Sequence, residues 1–262
     1  MRKRILGALL AATLLPGSGM AQRSGEVIEV YAAASLRDVL ADIKKKKEAS
    51  NRLRVELSFG GSQDLAQRFL LGSRHGTVFI SADERQMKRV VDAKIFRPDH
   101  VRAIATNTGS VVVSRRARGR IRKLRDLSKP GLLLAIAGKE VPAGRVALEM
   151  IHRASATYGR SWERRVLANV VTRETDVRAV LAKVRLGEAD AGFVYVTDAL
   201  SAKGKVIALE VPSQFRASTT YLAASGNGSR SSGYVFVSTL ARPNLQAFFR
   251  RYGFGPPPSK WP

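Results

Sequence analysis

From residue 27 onward, short apolar runs alternate with amphipathic stretches, and this alternation is what most limits the fold. Residues 27–31, 55–59, 78–80, 110–114, 132–137, 191–196, 206–211 and 219–224 carry strand patterns. Between them, Leu36, Val39, Leu40 and Ile43 stand at i, i+3, i+4 and i+7, and Val177, Val180, Leu181 and Val184 repeat that spacing up to Gly187. Further helices are expected over 64–71, around Met87, Val90 and Val91, over 143–156, and over a last stretch bearing Leu245, Phe248, Phe249 and Tyr252. A helix ending near Val166 runs into a strand at Val170 and Val171. Strands that return through helices pair in parallel, and a parallel sheet needs helices on its faces. The expected class is therefore α/β, with any ligand at the carboxyl ends of the strands.

Two of those strand ends are built alike. One reads Ala32-Ala33-Ala34-Ser35-Leu36 and the other Gly60-Gly61-Ser62. In each, residues with almost no side chain precede a serine that opens a helical pattern. Small residues let a ligand reach the backbone, and helix starts offer free N–H groups at the positive end of the helix dipole. Either serine alone has a plain reading as a helix N-cap. As a pair, Ser35 and Ser62 point to a site for a small anion.

Three further places fit the same chemistry. Val141-Pro142-Ala143-Gly144 puts proline in a first turn, where its missing N–H costs nothing, and the small residues after it leave amides uncovered. Thr175-Asp176-Val177 opens the helix that ends at Gly187, with a Thr or Asp cap. Tyr195 stands at a strand end, where its phenol can donate to an oxyanion or sit as a boundary aromatic with a wet tip.

The bulk numbers bound the class. The chain has 262 residues and 45% hydrophobic content, enough for one large or two medium cores. Arg2-Lys3-Arg4, an apolar run over 5–15 and Gly19-Met20-Ala21 form a signal-peptide pattern, so 1–21 is expected to be removed on export. No later run is apolar for the roughly 18–20 residues that a membrane span requires. Cysteine is absent, which excludes disulfides, thiolate metal sites, cysteine nucleophiles and a cysteine-linked lipid anchor. Net charge is +24, and +21 without the three basic residues of 1–21. Such a surplus attracts anions of every size and identifies none.

These pieces jointly resemble one family, the periplasmic molybdate-binding proteins of ABC importers. The resemblance is carried by A-A-A-S-L (32–36), the serine after the second strand, F-I-S-A-D (79–83), V-P-A-G (141–144), D-V-R (176–178), V-Y-x-x-D-A (194–199) and R-Y-G-F (251–254), in that order. It implies a two-lobed fold of the type II periplasmic-binding-protein kind. Each lobe would be a mostly parallel sheet flanked by helices, and two crossing hinge strands would join them. Lobe I would comprise 22–107 and 218–262, lobe II 108–217. The resemblance further implies a molybdate or tungstate ion held as an oxyanion by the Ser35 and Ser62 hydroxyls, backbone N–H groups at Ala143 and Val177, and the Tyr195 hydroxyl. No metal cation, cofactor or catalysis is implied. The partners would be an importer permease and its ATPase, the location the periplasm and the state a monomer. Sulfate or phosphate is the alternative ligand, and a basic nucleic-acid or acidic-surface binder is the more remote alternative. Two differences from the family's usual pattern stand out: His75-Gly76-Thr77-Val78 lacks an acid, and Gly60-Gly61 replace serines.

Other chemistry lacks a motif. Residues 138–144 have the wrong spacing for a phosphate loop, and neither G-x-S-x-G nor H-E-x-x-H occurs. His75, His100 and His152 are scattered, and Asp38, Asp64, Asp83, Asp176 and Asp198 sit near turns as expected caps. Seven basic residues fall in 115–125, without interleaved aromatics, and read as a solvated loop rather than a nucleic-acid site. Residues 226–233 read as a flexible loop.

Overall fold

The computed structural model describes residues 27–49, 54–72, 78–226 and 232–258. The expected signal peptide, the segment His75-Gly76-Thr77 and most of the 226–233 loop lie outside them. In the first half, β1 (Val27–Ala33), α1 (Arg37–Glu48), β2 (Arg54–Gly60), α2 (Ser62–Leu70), β3 (Val78–Ser81) and α3 (Glu84–Asp92) alternate as the sequence pattern requires. A long strand, β4 (Arg102–Val113), leads into the second half. There follow β5 (Leu134–Ala137), α4 (Pro142–Tyr158), α5 (Arg160–Ala168), β6 (Val170–Glu174), α6 (Val177–Leu186), β7 (Ala191–Tyr195), α7 (Val196–Ser201) and β8 (Ile207–Leu209). The chain returns through β9 (Ser218–Ser225) and ends with α8 (Ser232–Leu240) and α9 (Pro243–Arg251).

Each half contains three parallel strands, β2-β1-β3 in one and β6-β5-β7 in the other. The crossing strands β4 and β9 run antiparallel to each other and join both halves into one continuous sheet, ordered β2-β1-β3-β9-β4-β7-β5-β6. Within β4 the pairing changes hands: residues through Thr108 pair with β9, and those from Gly109 pair with β7. Gly109 at that transfer lets α4 pack close, since a Cβ there would lie 2.2 Å from the Met150 Sδ and 2.7 Å from Val146 Cγ1 and would force those side chains to move.

Two lobes follow from this layout. In the first, side chains alternate across the sheet with period two. Val78, Ile80, Tyr221 and Ala223 face α1 and α9, while Phe79, Leu222 and Ala224 face α2 and α3. On the latter side Phe69, Phe79 and Phe96 meet edge-on, with Phe69 centroids 5.4 and 5.0 Å from the other two. The second lobe packs Met150, Trp162, Val180 and Phe193 around β5 and β7.

Some expected elements differ. The strand expected over 110–114 is the tail of β4, whose first half (residues 102–109) carries too little apolar alternation to be read as a strand. Ser114 instead accepts from Ala117 N–H and caps the following turn. The strand expected over 206–211 shortens to β8, and α7 takes over where the 191–196 strand ends. Helix α8 was not expected from its sequence, Ser-Gly-Tyr-Val-Phe-Val-Ser-Thr-Leu. It is rich in β-branched and aromatic residues, and packing of Phe236, Val237 and Leu240 on the sheet overrides that local preference.

Candidate functional site

Ser35 stands in a 3-10 turn, Ala34–Leu36, between β1 and α1, and is 3% exposed. Its Oγ lies 2.7 Å from the Tyr221 hydroxyl of β9. Ser62 is the first residue of α2, with Gly61 as the N-cap, and its Oγ accepts from Ala82 N–H at 3.0 Å. Neither serine caps its own helix. The plain reading open to each of them is thereby removed. Because Ser62 accepts a backbone hydrogen bond, its own proton is left to donate elsewhere.

The second lobe supplies facing groups. In α4, Val141 is the N-cap and Pro142 occupies the first turn. The Ala143 and Gly144 amides that follow have no acceptor among the described residues. Gly144 is required, since a Cβ there would fall 2.0 Å from Gly138 O and 2.5 Å from Ala137 O. At the start of α6, the Asp176 carboxylate accepts from Arg178 N–H at 2.7 Å and Ala179 N–H at 3.0 Å. This cap passes over Val177, whose own amide is left without an acceptor among the described residues. Tyr195 ends β7 and is 1% exposed, yet its hydroxyl has no hydrogen-bond partner among the described residues. A buried hydroxyl in that state costs free energy unless something else meets it.

All five of these sequence-predicted residues line one cavity, together with Ala33, Ala34, Gly60, Gly61 and Ala82 on one side and Val141, Pro142 and Asp176 on the other. The space open to the centre of a water-sized sphere is about 20 Å³. A single water needs roughly 10–15 Å³ by this measure, so the cavity has room for a compact ion. No lysine or arginine is among its walls. Burial holds the Tyr195 phenol well above its ordinary pKa, with neighbouring Tyr221 and Asp198 adding to the effect and Arg145 opposing it. It therefore stays a proton donor across the working pH range.

The lobes are in contact on both flanks of the cavity. Arg178 of α6 reaches Asp38 Oδ2 of α1 at 2.6 Å and also Asp198 Oδ1 of α7 at 2.8 Å. On the other flank Arg145 of α4 pairs with Asp83, the N-cap of α3. Gln86 Nε2 donates to Glu140 O at 3.2 Å, and Gln63 Nε2 donates to Thr175 O at 2.8 Å. Among these, sequence reasoning did not single out Ala82, Arg145 or Tyr221. Each is one ordinary residue whose role depends on what the fold places beside it.

Asp198 is fully buried, and burial pushes its carboxyl up to about 6 despite the Arg178 guanidinium beside it. The unfolded carboxyl titrates near 3.8, so the folded protein holds an extra proton between these values. This group's stabilisation is complete below the lower value and is lost as pH rises through the upper one. We expect the unfolding free energy of the unmutated protein, relative to Asp198→Asn, to fall across that window. The slope should be at most about 1.4 kcal/mol per pH unit, flattening above it. Denaturant unfolding without ligand measures this, and a difference independent of pH would contradict it.

The remaining sequence candidates lie elsewhere. His100 Nδ1 meets Ser225 Oγ at 3.1 Å, and His152 is exposed beside Glu163. The basic residues of 115–125 are exposed, with Ala117, Ile121 and Leu124 anchoring the segment. Among the described residues no cluster of His, Cys, Asp or Glu could hold a metal ion, and no helix is long and apolar enough to cross a membrane.

Comparison with known proteins agrees with this architecture. The family model described as bacterial extracellular solute-binding protein matches residues 28–255. The molybdate-binding protein ModA of Mycobacterium tuberculosis is 37% identical over 186 residues, covering 71% of this chain and 67% of that protein. Among solved structures, the periplasmic molybdate-binding protein of Azotobacter vinelandii superposes with a TM-score of 0.74 at 18% identity, covering 88% of this chain and all of that one. The sulfate-binding protein SubI of Mycobacterium tuberculosis gives the same TM-score and identity, covering 88% and 86%. The fold is thus shared by proteins named for different oxyanions. A cavity between two α/β lobes, lined by small residues, hydroxyl side chains and helix starts, and a family match over nearly all of 27–258 lead to one conclusion: the chain belongs to the bacterial extracellular solute-binding proteins.

Proposed function

We propose that this protein captures molybdate, with tungstate as a near-isosteric competitor, and delivers it to an ABC importer permease driven by its ATPase. The observation that carries this reading is the cavity's complement of donors. Ser35, Ser62, Tyr195, Ala143 and Val177 line it from both lobes, with no lysine or arginine beside them, and in this reading the three hydroxyls and the two amides hold the ion. Such donors hold a fully ionised tetrahedral dianion through charge-assisted hydrogen bonds and helix-start dipoles. The molybdate-binding relative named above supports the choice of metal oxyanion.

In this reading the chain is a carrier and catalyses nothing. It is exported by the 1–21 signal, works in the periplasm as a monomer, and uses no cofactor. The lobes are 22–107 with 218–262, and 108–217, moving about β4 and β9 near Thr108 and Ser218, where strand pairing changes partner. Surface charge steers anions toward the cleft over a screening length of about 8–10 Å.

Calorimetric titration and thermal unfolding with molybdate, tungstate, sulfate and phosphate test this. Molybdate and tungstate should raise the unfolding temperature and bind more tightly than sulfate. In Ser62→Ala the molybdate-induced shift should shrink by the equivalent of about 1.5–3 kcal/mol, the worth of a hydrogen bond to a charged group. Tighter binding of sulfate, or no shift with molybdate, would overturn the proposal.

A further inference from the structure

Ser35 is one end of a buried hydrogen-bond chain that runs through both crossing strands. Asn107 of β4 is 1% exposed and Tyr221 of β9 is fully buried. Asn107 Oδ1 accepts from Thr108 N–H at 3.0 Å, which fixes the orientation of the carboxamide. Its Nδ2 therefore donates, to the Thr197 hydroxyl at 2.9 Å and to the Tyr221 hydroxyl at 3.3 Å. The Tyr221 oxygen lies 2.7 Å from Ser35 Oγ.

Counting protons sets the direction of the chain. Tyr221 receives a proton from Asn107, and among the described residues its hydroxyl has Asn107 Nδ2 and Ser35 Oγ as hydrogen-bond neighbours. If Ser35 donated to Tyr221, the phenolic proton would be left without an acceptor in the core, at a cost. The satisfied arrangement runs from Asn107 to Tyr221 to Ser35. The Ser35 proton is then excluded from the Tyr221 direction, and Ser35 borders the cavity.

We propose that Asn107 and Tyr221 are positioning residues that hold the Ser35 hydroxyl as a donor to the bound anion. This rests on the oxyanion reading of the cavity. It means that the crossing strands, besides joining the lobes, order a proton at the site. It also ties Thr197 of the second lobe to Ser35 of the first through two side chains, Asn107 and Tyr221. Polarisation along such a chain strengthens its terminal donor.

The test is a double-mutant cycle read by molybdate titration, with the four proteins unmutated, Ser35→Ala, Tyr221→Phe and the double variant. Tyr221→Phe should weaken binding roughly tenfold when Ser35 is present, and less than about twofold when Ser35 is alanine. A purely structural role for Tyr221 would give the same loss in both backgrounds. Equal losses, or no loss with Ser35 present, would overturn the inference. Circular dichroism and ligand-free unfolding check that each variant folds. Asn107→Leu runs the same cycle if Tyr221→Phe does not yield folded protein, and the same pair of outcomes applies. If the unmutated protein binds none of molybdate, tungstate or sulfate, the oxyanion reading itself fails. That result is distinct from binding with an additive cycle, which removes the chain's role alone.

Discussion

Tyr195→Phe should weaken molybdate binding by about 10- to 100-fold while leaving the ligand-free protein at least as stable as before. The two effects have opposite causes. Tyr195 is buried, and its hydroxyl meets no acceptor or donor among the described residues. Removing it relieves the closed conformation of an unpaired polar group, a gain of up to about 1 kcal/mol. With the anion present, the same hydroxyl is a donor that phenylalanine cannot replace. The ring keeps its packing, including the edge-on contact with Tyr221 at 6.3 Å between centroids. Thermal unfolding with and without molybdate separates the two terms. A variant that loses stability without ligand and keeps its affinity would show that the hydroxyl serves the fold instead.

Gly61→Ala should cost still more, on the order of 10³-fold in affinity, without destabilising the ligand-free protein. The backbone at Gly61, φ −64° and ψ 135°, suits any residue, so no local strain follows from the substitution. What forbids a Cβ is the other lobe: it would sit 2.4 Å from the Thr175 carbonyl oxygen. Its other close neighbour is the Gln63 side-chain amide, which can turn away. Alanine therefore holds the lobes apart. Ala143, Val177 and Tyr195 then stay out of reach of an anion held by Ser35 and Ser62. Losing three charge-assisted hydrogen bonds at about 1.5 kcal/mol each accounts for the magnitude. At Gly60, which borders the same cavity, a Cβ would instead make an ordinary 3.4 Å contact with Leu65 of its own lobe. Small-angle scattering should show Gly61→Ala still extended when molybdate is added. Tight binding and full compaction would refute the argument.

Gly60 and Gly61 show where sequence reading stops. In the sequence both are small residues before a serine. In the structure a Cβ at Gly60 would meet only its own lobe, whereas one at Gly61 would meet the Thr175 carbonyl of the other lobe. The paired serines illustrate the same limit. Their place at strand ends was legible, because strand and helix periodicities locate the turn between them. That neither would cap its helix was not legible. Ser62 is occupied by Ala82, 20 positions away, and Ser35 by Tyr221, 186 positions away. Asn107 lies in a strand half with little apolar alternation, so no local signal marked it. Helix α8 is hidden for a related reason: Phe236, Val237 and Leu240 hold a β-prone segment helical by packing in the first lobe's core.

The sequence by itself determined the α/β class, the turns that hold the donors, and the helix starts at Ala143 and Val177. These are local properties, set by period, glycine and proline placement, and capping chemistry over a few neighbouring residues. Only the tertiary structure decided that Ser62 meets the Ala82 amide and Ser35 the Tyr221 hydroxyl, that Tyr195 borders the cavity with its hydroxyl unpartnered among the described residues, and that Arg178 and Arg145 pair across the lobes on either side. Those facts depend on groups far apart in the chain that share a low-dielectric interior. There, every polar atom must find a partner, and the identity of the partner fixes what the atom can still offer to a ligand.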